Sequence, residues 1–298
     1  MPSHTAAPSP GGSKPPSVNF HLWKPCDMRC RYCFAVFDDV LPVLPRGHLA
    51  KEDALEVTRR LARAFRKVSF AGGEPLLCPW FPELVQAAKA EGAVTMIVTN
   101  GGRFLERFHE LAGSLDWVAV SIDSASEATH LSHGRALRGR TPLTPAHYQQ
   151  IAARAAAAGI RLKVNTVVTL VNAGEDLAPL LRALRPARWK ALRVLPVRGQ
   201  NDERVEPLIC SDAQFQGFIE RHRALAAELD LAAEDNDDMR GSYAMVDPAG
   251  RFFDNVEGEH RYSAPILQSG LEAAWSEVRF SMERFLGRGG DYDFGSSR

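Results

Sequence analysis

The chain has 298 residues, 45% of them hydrophobic, and a formal net charge of zero. That is enough for one large α/β domain or two small ones, and it supplies no global field that would draw nucleic acid or a membrane surface. Five cysteines, three of them crowded together, do not make a secreted disulfide framework and suit a reducing, cytoplasmic compartment, and no apolar run approaches the roughly 20 residues of a membrane-spanning helix.

Residues 1–17 are rich in Pro, Ser and Gly and carry neither an apolar signal core nor an amphipathic period. They read as a disordered leader. Val18–Trp23 reads as a first strand and runs into Cys26-Asp-Met-Arg-Cys30-Arg-Tyr-Cys33. Leu49–Ala64 has helical spacing. Lys67–Phe70 is a short strand feeding Ala71-Gly-Gly-Glu-Pro75, and Pro82–Gly92 is a helix closed by glycine. Val94–Thr99 is a strand turned by Asn100-Gly-Gly, and Phe104–Ala112 is helical. Trp117–Ile122 is a strand and Pro145–Ala158 an alanine-rich helix. Arg161–Leu170 is strongly β, Asp176–Leu184 helical, Lys190–Val197 a sixth strand and Asp212–Leu229 a sixth helix. The strands are continuous apolar runs, as expected when both faces are covered. Six alternations predict parallel β/α units curled by right-handed crossovers into part of a barrel, short of the eight units of a closed one. A flat doubly wound sheet is the alternative.

The cysteine loop carries the chemistry. Thiols at spacings of four and three residues can wrap a metal centre from three sides. Soft thiolates select zinc, Cu(I) or iron–sulfur. A closed zinc site wants four ligands, and no nearby Cys or His completes one cleanly. A cluster held by three thiolates leaves one iron free for a small molecule. This C-x3-C-x2-C pattern, with Tyr32 before the last cysteine, resembles the radical S-adenosylmethionine superfamily. The resemblance implies that Cys26, Cys30 and Cys33 hold a 4Fe–4S cluster whose fourth iron chelates the amino and carboxylate groups of S-adenosylmethionine. Gly72-Gly73-Glu74-Pro75 then resembles the superfamily's methionine-binding loop, Ser121 the position that meets the ribose, and Arg135 a partner for the carboxylate. Tyr32 and Asn100 fall in the same cofactor site. Cys78 and Cys210 stand alone, so no auxiliary cluster is expected.

Several cations fall on expected interior strands. Lys163 and Asn165 are two residues apart and share a face, as do Arg188 and Lys190, and Lys67 opens the second strand. An inward lysine is costly without an anion, and Lys and Arg are natural phosphate binders. With Val18-Asn-Phe-His, Phe70-Ala-Gly-Gly-Glu-Pro75, Val120-Ser-Ile-Asp-Ser124, Lys163-Val-Asn165, Arg188-Trp-Lys190, Glu220-Arg-His222, Met239-Arg-Gly-Ser-Tyr243, Arg251-Phe252 and Arg288-Gly-Gly-Asp-Tyr292 in order, the chain resembles the viperin family of antiviral enzymes, particularly its prokaryotic members. Two departures stand out. The amphipathic membrane helix of animal members has no counterpart, and Ala71 replaces a small hydroxyl residue.

That resemblance implies dehydration of a ribonucleoside triphosphate to its 3′-deoxy-3′,4′-didehydro analogue, a chain terminator. The cofactor's 5′-deoxyadenosyl radical would take the 4′ hydrogen, the 3′ hydroxyl would leave as water, and one electron and proton would close the shell. Asn19, Lys67, Lys163, Asn165, Arg188, Lys190 and Arg288 would hold the substrate, and Tyr243 would deliver the final hydrogen. An electron donor such as flavodoxin or ferredoxin is implied, and a monomer is expected. The expected organisation is a leader over 1–17, a partial (βα)6 radical S-adenosylmethionine barrel over 18–230, and an extension over 231–298 that folds across the barrel mouth. Gln200, Asn201 and Asp202 follow the sixth strand, where an amide or carboxylate could read a pyrimidine edge. CTP is the expected substrate, with UTP next.

Overall fold

The computed structural model describes residues 9–295. A two-residue strand β1 (Ser9–Pro10) precedes seven parallel strands: β2 (Ser17–Trp23), β3 (Lys67–Gly72), β4 (Val94–Thr99), β5 (Trp117–Ser121), β6 (Arg161–Val168), β7 (Arg188–Arg193) and β8 (Asp230–Glu234). On the other side of β2 lies β9 (Met245–Val246), also parallel to it, followed by the antiparallel strands β10 (Arg251–Asp254) and β11 (Arg261–Pro265). The spatial order is β11-β10-β9-β2-β3-β4-β5-β6-β7-β8, and a last strand β12 (Arg279–Phe280) pairs only with β1.

Helices cover the outer face because their apolar positions recur at helical spacing. In Lys51–Ala64 the buried set is Ala54, Leu55, Val57, Thr58, Leu61 and Ala62. The helix Pro145–Ala157 begins where the Thr144 hydroxyl accepts from His147 N and Pro145 presets the first turn. Phe20, Phe70, Phe81, Trp189 and Phe218 are among the large side chains sealed in the main core.

The sheet is rolled. Adjacent strands lie about 4.8 Å apart, so six intervals would separate β9 from β7 by about 29 Å if the sheet were flat. Yet Tyr243, two residues before β9, receives a 3.1 Å hydrogen bond from Lys190 Nζ in β7. The inner face is therefore concave, and side chains from both ends of the sheet meet across it.

Three expectations need correction. The parallel set does not stop at residue 230: Asp230–Glu234 adds a seventh parallel strand, and β9, β10 and β11 extend the same sheet beyond β2. The C-terminal segment does not cross the mouth at the strand C-termini. Lys67, Trp117, Arg161 and Arg188 each open their strand, and they bind Tyr292 Oη, Phe294 O, Asp293 O and Gly289 O at 2.7, 2.9, 3.1 and 2.7 Å. The segment thus closes the opposite end, drawn there by cations that need ring faces and carbonyls.

The leader is the third. Its first eight residues lie outside the described ones, but residues 9–16 are built in. Ser9 and Pro10 pair with Phe280 and Arg279, Gly12 O accepts from Trp275 Nε1 at 2.7 Å, and Pro16 O accepts from Lys67 N at 3.1 Å. Deleting residues 1–16 should therefore lower the melting temperature, because the buried Trp275 indole loses its partner at a cost of about 1–3 kcal/mol. Thermal denaturation of the shortened chain checks this, and an unchanged midpoint would contradict it.

Candidate active site

At the C-terminal ends of the parallel strands the cysteine loop lies against three neighbouring loops. Gly72 has φ +147°, and a Cβ there would sit 2.4 Å from Trp23 O. One on Gly73 would lie 2.2 Å from Lys24 O. The glycines are needed so that this loop and the cysteine loop can bond backbone to backbone, Gly73 N to Trp23 O and Glu74 N to Pro25 O. Glu74 is fully buried and accepts from Leu76 N, Thr99 Oγ1 and Asn100 N at 3.1, 2.8 and 2.8 Å. Burial outweighs those donors and raises its carboxyl to about 7. Asn100 Nδ2 donates to Asp27 Oδ1 at 2.8 Å, tying the end of β4 to the residue after Cys26.

On the other flank Asp123 organises the loop after β5. It accepts from the Tyr32 hydroxyl and from Val167 N, and it pairs with Arg135 at 3.2 Å. Arg135 also donates to Ser121 O at 2.5 Å and reaches Cys30 Sγ at 3.8 Å, while its buried Nε has no partner. All three loop thiols are free. Burial pushes Cys26 up to about 12 and Cys30 to about 11, and raises Cys33 as well. Among the described residues no three His, Cys, Asp or Glu side chains converge on a single metal ion.

Below this end, the concave face holds a second set of groups. A small cavity of about 40 Å³ is lined by Asn19, Ser69, Lys67, Lys163, Lys190, Arg288 and Tyr243, with Tyr292 and Phe285 as aromatic walls. Glu234, fully buried, accepts from Lys190 and from the Tyr243 hydroxyl, and from Arg288 Nη1 at 3.1 Å. Burial alone would raise its carboxyl, but Lys190 and Arg288 outweigh burial and hold it at about 2. Arg288 lies over the Tyr243 ring at 3.6 Å and donates to Ser242 Oγ and O. Arg188 bonds Asp230 and Gly289 O, with the Tyr292 ring 4.1 Å away. Lys67 sits 3.8 and 4.2 Å from the Phe294 and Tyr292 rings.

These cations are poorly solvated. Burial lowers Lys67 and Lys163 well below the ordinary lysine range, and neighbouring cations add to the effect. Burial also lowers Lys190, opposed by Glu234 and reinforced by Arg288, to about 8. Asn165 Oδ1, Ser69 Oγ and Arg188 Nε are buried without partners. The lining cations and the orphaned Ser69 hydroxyl are chemically suited to an anion of several oxygens.

The cluster cysteines and the glycine loop thus meet at the strand C-termini, and Asn19, Lys67, Lys163, Lys190 and Arg288 meet in the cavity, whose lining includes neither Asn165 nor Arg188; residues 200–202 join neither set. Asn201 is fully buried and spent on backbone: Val197 N donates to its Oδ1, and its Nδ2 donates to Leu195 O and Tyr32 O. Gln200 bonds Phe37 N and Asp39, and Asp202 caps its own turn at Gly199 N. They brace the loop after β7 against the cysteine loop, so their assignment to base reading is withdrawn. In the sequence Asp123 and Tyr292 stand only within the motifs Val120-Ser-Ile-Asp-Ser124 and Arg288-Gly-Gly-Asp-Tyr292, and no motif marks Glu234 or Ser69 as part of a site. The one hint for Glu234 was an acid closing the apolar run Leu231-Ala-Ala.

Residues 24–184 match the radical SAM superfamily. The chain is 46% identical over 289 residues to an S-adenosylmethionine-dependent nucleotide dehydratase of Lacinutrix mariniflava, covering 96% of this chain and 60% of that relative. A protein of the same name from Flammeovirga pacifica is 45% identical, with 94% of this chain and 96% of the relative covered. The Danio rerio nucleotide dehydratase RSAD2 is 34% identical, covering 93% and 78%. The chain belongs to the S-adenosylmethionine-dependent nucleotide dehydratase family. Among solved structures, Streptococcus suis SuiB bound to S-adenosylmethionine superposes with a TM-score of 0.60 at 18% identity, covering 80% of this chain and 59% of that one. The anSMEcpe enzyme with bound AdoMet and a peptide gives 0.59 at 16%, covering 80% and 73%. Both share the α/β fold.

Family membership brings S-adenosylmethionine and a 4Fe–4S cluster as cofactors, and the residues fit them. Three free thiols face one loop, and donors are already aimed at two sulfurs, Met28 N at Cys26 and Arg135 at Cys30. Binding must deprotonate the thiols, which burial otherwise keeps protonated. Replacing Cys30 with alanine should abolish the visible iron–sulfur absorbance and drop bound iron and sulfide far below wild type after anaerobic reconstitution. Full iron and sulfide in that variant would defeat the ligand assignment.

Proposed function

We propose that the chain dehydrates a ribonucleoside triphosphate to its 3′-deoxy-3′,4′-didehydro analogue, with the triphosphate in the cation-lined cavity and the ribose toward the cysteine loop. The observation that carries this reading is the convergence of Lys67, Lys163, Lys190 and Arg288 on one cavity with no carboxylate among its lining residues. The preference for CTP, then UTP, rests on the sequence resemblance alone. Cytoplasmic location, a monomeric state and reduction by a flavodoxin or ferredoxin are part of the same proposal. Residues 18–230 serve as the partial barrel in it, extended by the strand to Glu234, and the C-terminal extension completes the substrate end.

When bound, the cluster and S-adenosylmethionine supply the radical that takes the 4′ hydrogen. The protein's work is position and exclusion of water. Gly72, Gly73, Glu74 and Asn100 hold the methionine end, and Ser121 and Arg135 the ribose and carboxylate. Asn19, Asn165 and Arg188 add to the substrate clamp. The 3′ hydroxyl leaves with one proton as water, and one electron closes the shell at the new double bond. Tyr243 delivers that proton and electron together as one hydrogen atom, and the external electron donor restores its phenol. Burial keeps its phenol protonated, and the hydroxyl lies between Glu234 and Lys190.

Anaerobic incubation with reductant, S-adenosylmethionine and each nucleoside triphosphate tests the reading. Mass spectrometry should find a product one water lighter than the substrate, together with 5′-deoxyadenosine, from CTP before UTP. The nucleosides should give neither, and equal turnover of nucleoside and triphosphate would overturn the assignment.

Binding should also depend on pH. Lys190 is faced by Glu234, Tyr243, Arg188, Arg288 and Lys163, and its proton is lost near pH 8 in the free site. A bound polyphosphate favours the charged form, so affinity should fall as pH rises above 8, by up to about tenfold per unit for each proton taken up. Calorimetric titration from pH 7 to 9.5 checks the direction, and affinity that rises over this range would contradict it.

A further inference from the structure

Most nucleoside triphosphate sites hold the phosphates through magnesium, which keeps its waters and is fixed to the protein by one or two carboxylates. This cavity is built otherwise. Lys67, Lys163, Lys190 and Arg288 line it, and no aspartate or glutamate does. Four acids lie nearby, and none is in the lining. Asp238 accepts from Asp235 N at 2.9 Å. Glu234 is sealed behind the wall, with Oε1 taken by Lys190 and Arg288 and Oε2 by the Tyr243 hydroxyl. Asp230 is half exposed and pairs with Arg188. Asp291 is exposed on the C-terminal segment. A divalent cation would enter a space that already holds four positive groups, in surroundings where like charges repel far more strongly than in water.

We propose that this site takes its nucleoside triphosphate free of divalent metal, with lysine and arginine filling the place of magnesium. The inference rests on the triphosphate reading above. A free triphosphate brings about four negative charges near neutral pH, against four lining cations. Its magnesium complex brings about two and leaves buried cations without a counter-charge. The hydroxyl of Ser69, buried in the lining without a partner, adds a neutral donor for a phosphate oxygen. Lys67 and Lys163, which burial holds well below the ordinary lysine range, gain more from the tetra-anion than from the dianionic complex.

The experiment is calorimetric binding of CTP to the reconstituted holoenzyme with S-adenosylmethionine present. One series contains EDTA, a second excess magnesium, and a third replaces CTP with its substitution-inert Co(III) complex. The expected result is full affinity in EDTA, apparent affinity lost with magnesium in proportion to the fraction of nucleotide complexed, and no measurable binding of the Co(III) complex. Tighter binding with magnesium, loss of binding in EDTA, or binding of the Co(III) complex as tight as free CTP would overturn the inference and leave the triphosphate reading standing. Failure of CTP, UTP, GTP and ATP to bind in every series, while S-adenosylmethionine binds, would overturn both.

Discussion

Four cations packed inside a rolled sheet are the constraint around which the substrate end is arranged. Buried charge of one sign is tolerated only if something nearby answers it. One carboxylate, Glu234, answers two of the four and also receives the Tyr243 hydroxyl. The rest of the answer is aromatic. Tyr292 and Phe294 present ring faces to Lys67, and Tyr292 also covers Arg188. A desolvated cation–π contact is worth about 2 kcal/mol, far less than full hydration of an ammonium group, so the compensation is deliberately incomplete in effect. That deficit is what an incoming polyanion relieves.

The thiol end follows the opposite logic, with the carboxylates near the loop already bonded. Asp27 is tied to Asn100, Glu74 to the end of β4, and Asp123 to Tyr32, Val167 and Arg135. These ties cross between successive strand ends, so the cysteine loop is located by β3, β4 and β5 together. The contrast suits the two tasks. A cluster must be held in one geometry through a reaction cycle, and a substrate must enter and leave.

The alternation of strands and helices was legible because parallel strands buried on both faces leave unbroken apolar runs, such as Val94–Thr99, whose observed bounds match the expected ones. The cavity was half legible. Lys163 with Asn165 and Arg188 with Lys190 obey the two-residue period of a strand, and a lysine in an apolar run is conspicuous. Tyr292 and Phe294 were not legible, because nothing local says which end of the sheet a C-terminal segment will close. Short segments such as Asp230–Glu234 carry too few residues for the strand period to show. Residues 200–202 misled for a related reason. A polar turn after a strand has the same composition whether its side chains face a ligand or bond the loop's own backbone, as Asn201 does.

The two ends are joined through β6 and β7 more directly than through any loop. Asn165 and Lys190 are paired in register, and Asn165 is paired on its other side with Ser121, whose carbonyl holds Arg135 against Cys30. A line of adjacent residues thus runs from Lys190 in the cavity wall to Cys30. Strand pairing fixes those positions by register, which a loop would not. Radical transfer over a few ångströms depends on such fixed placement, because a misaligned reacting pair forfeits most of the advantage of being held together. The rolled sheet is thus the measuring frame of the site. Its concavity brings the cavity's cations together, and its register sets how far they lie from the thiol loop.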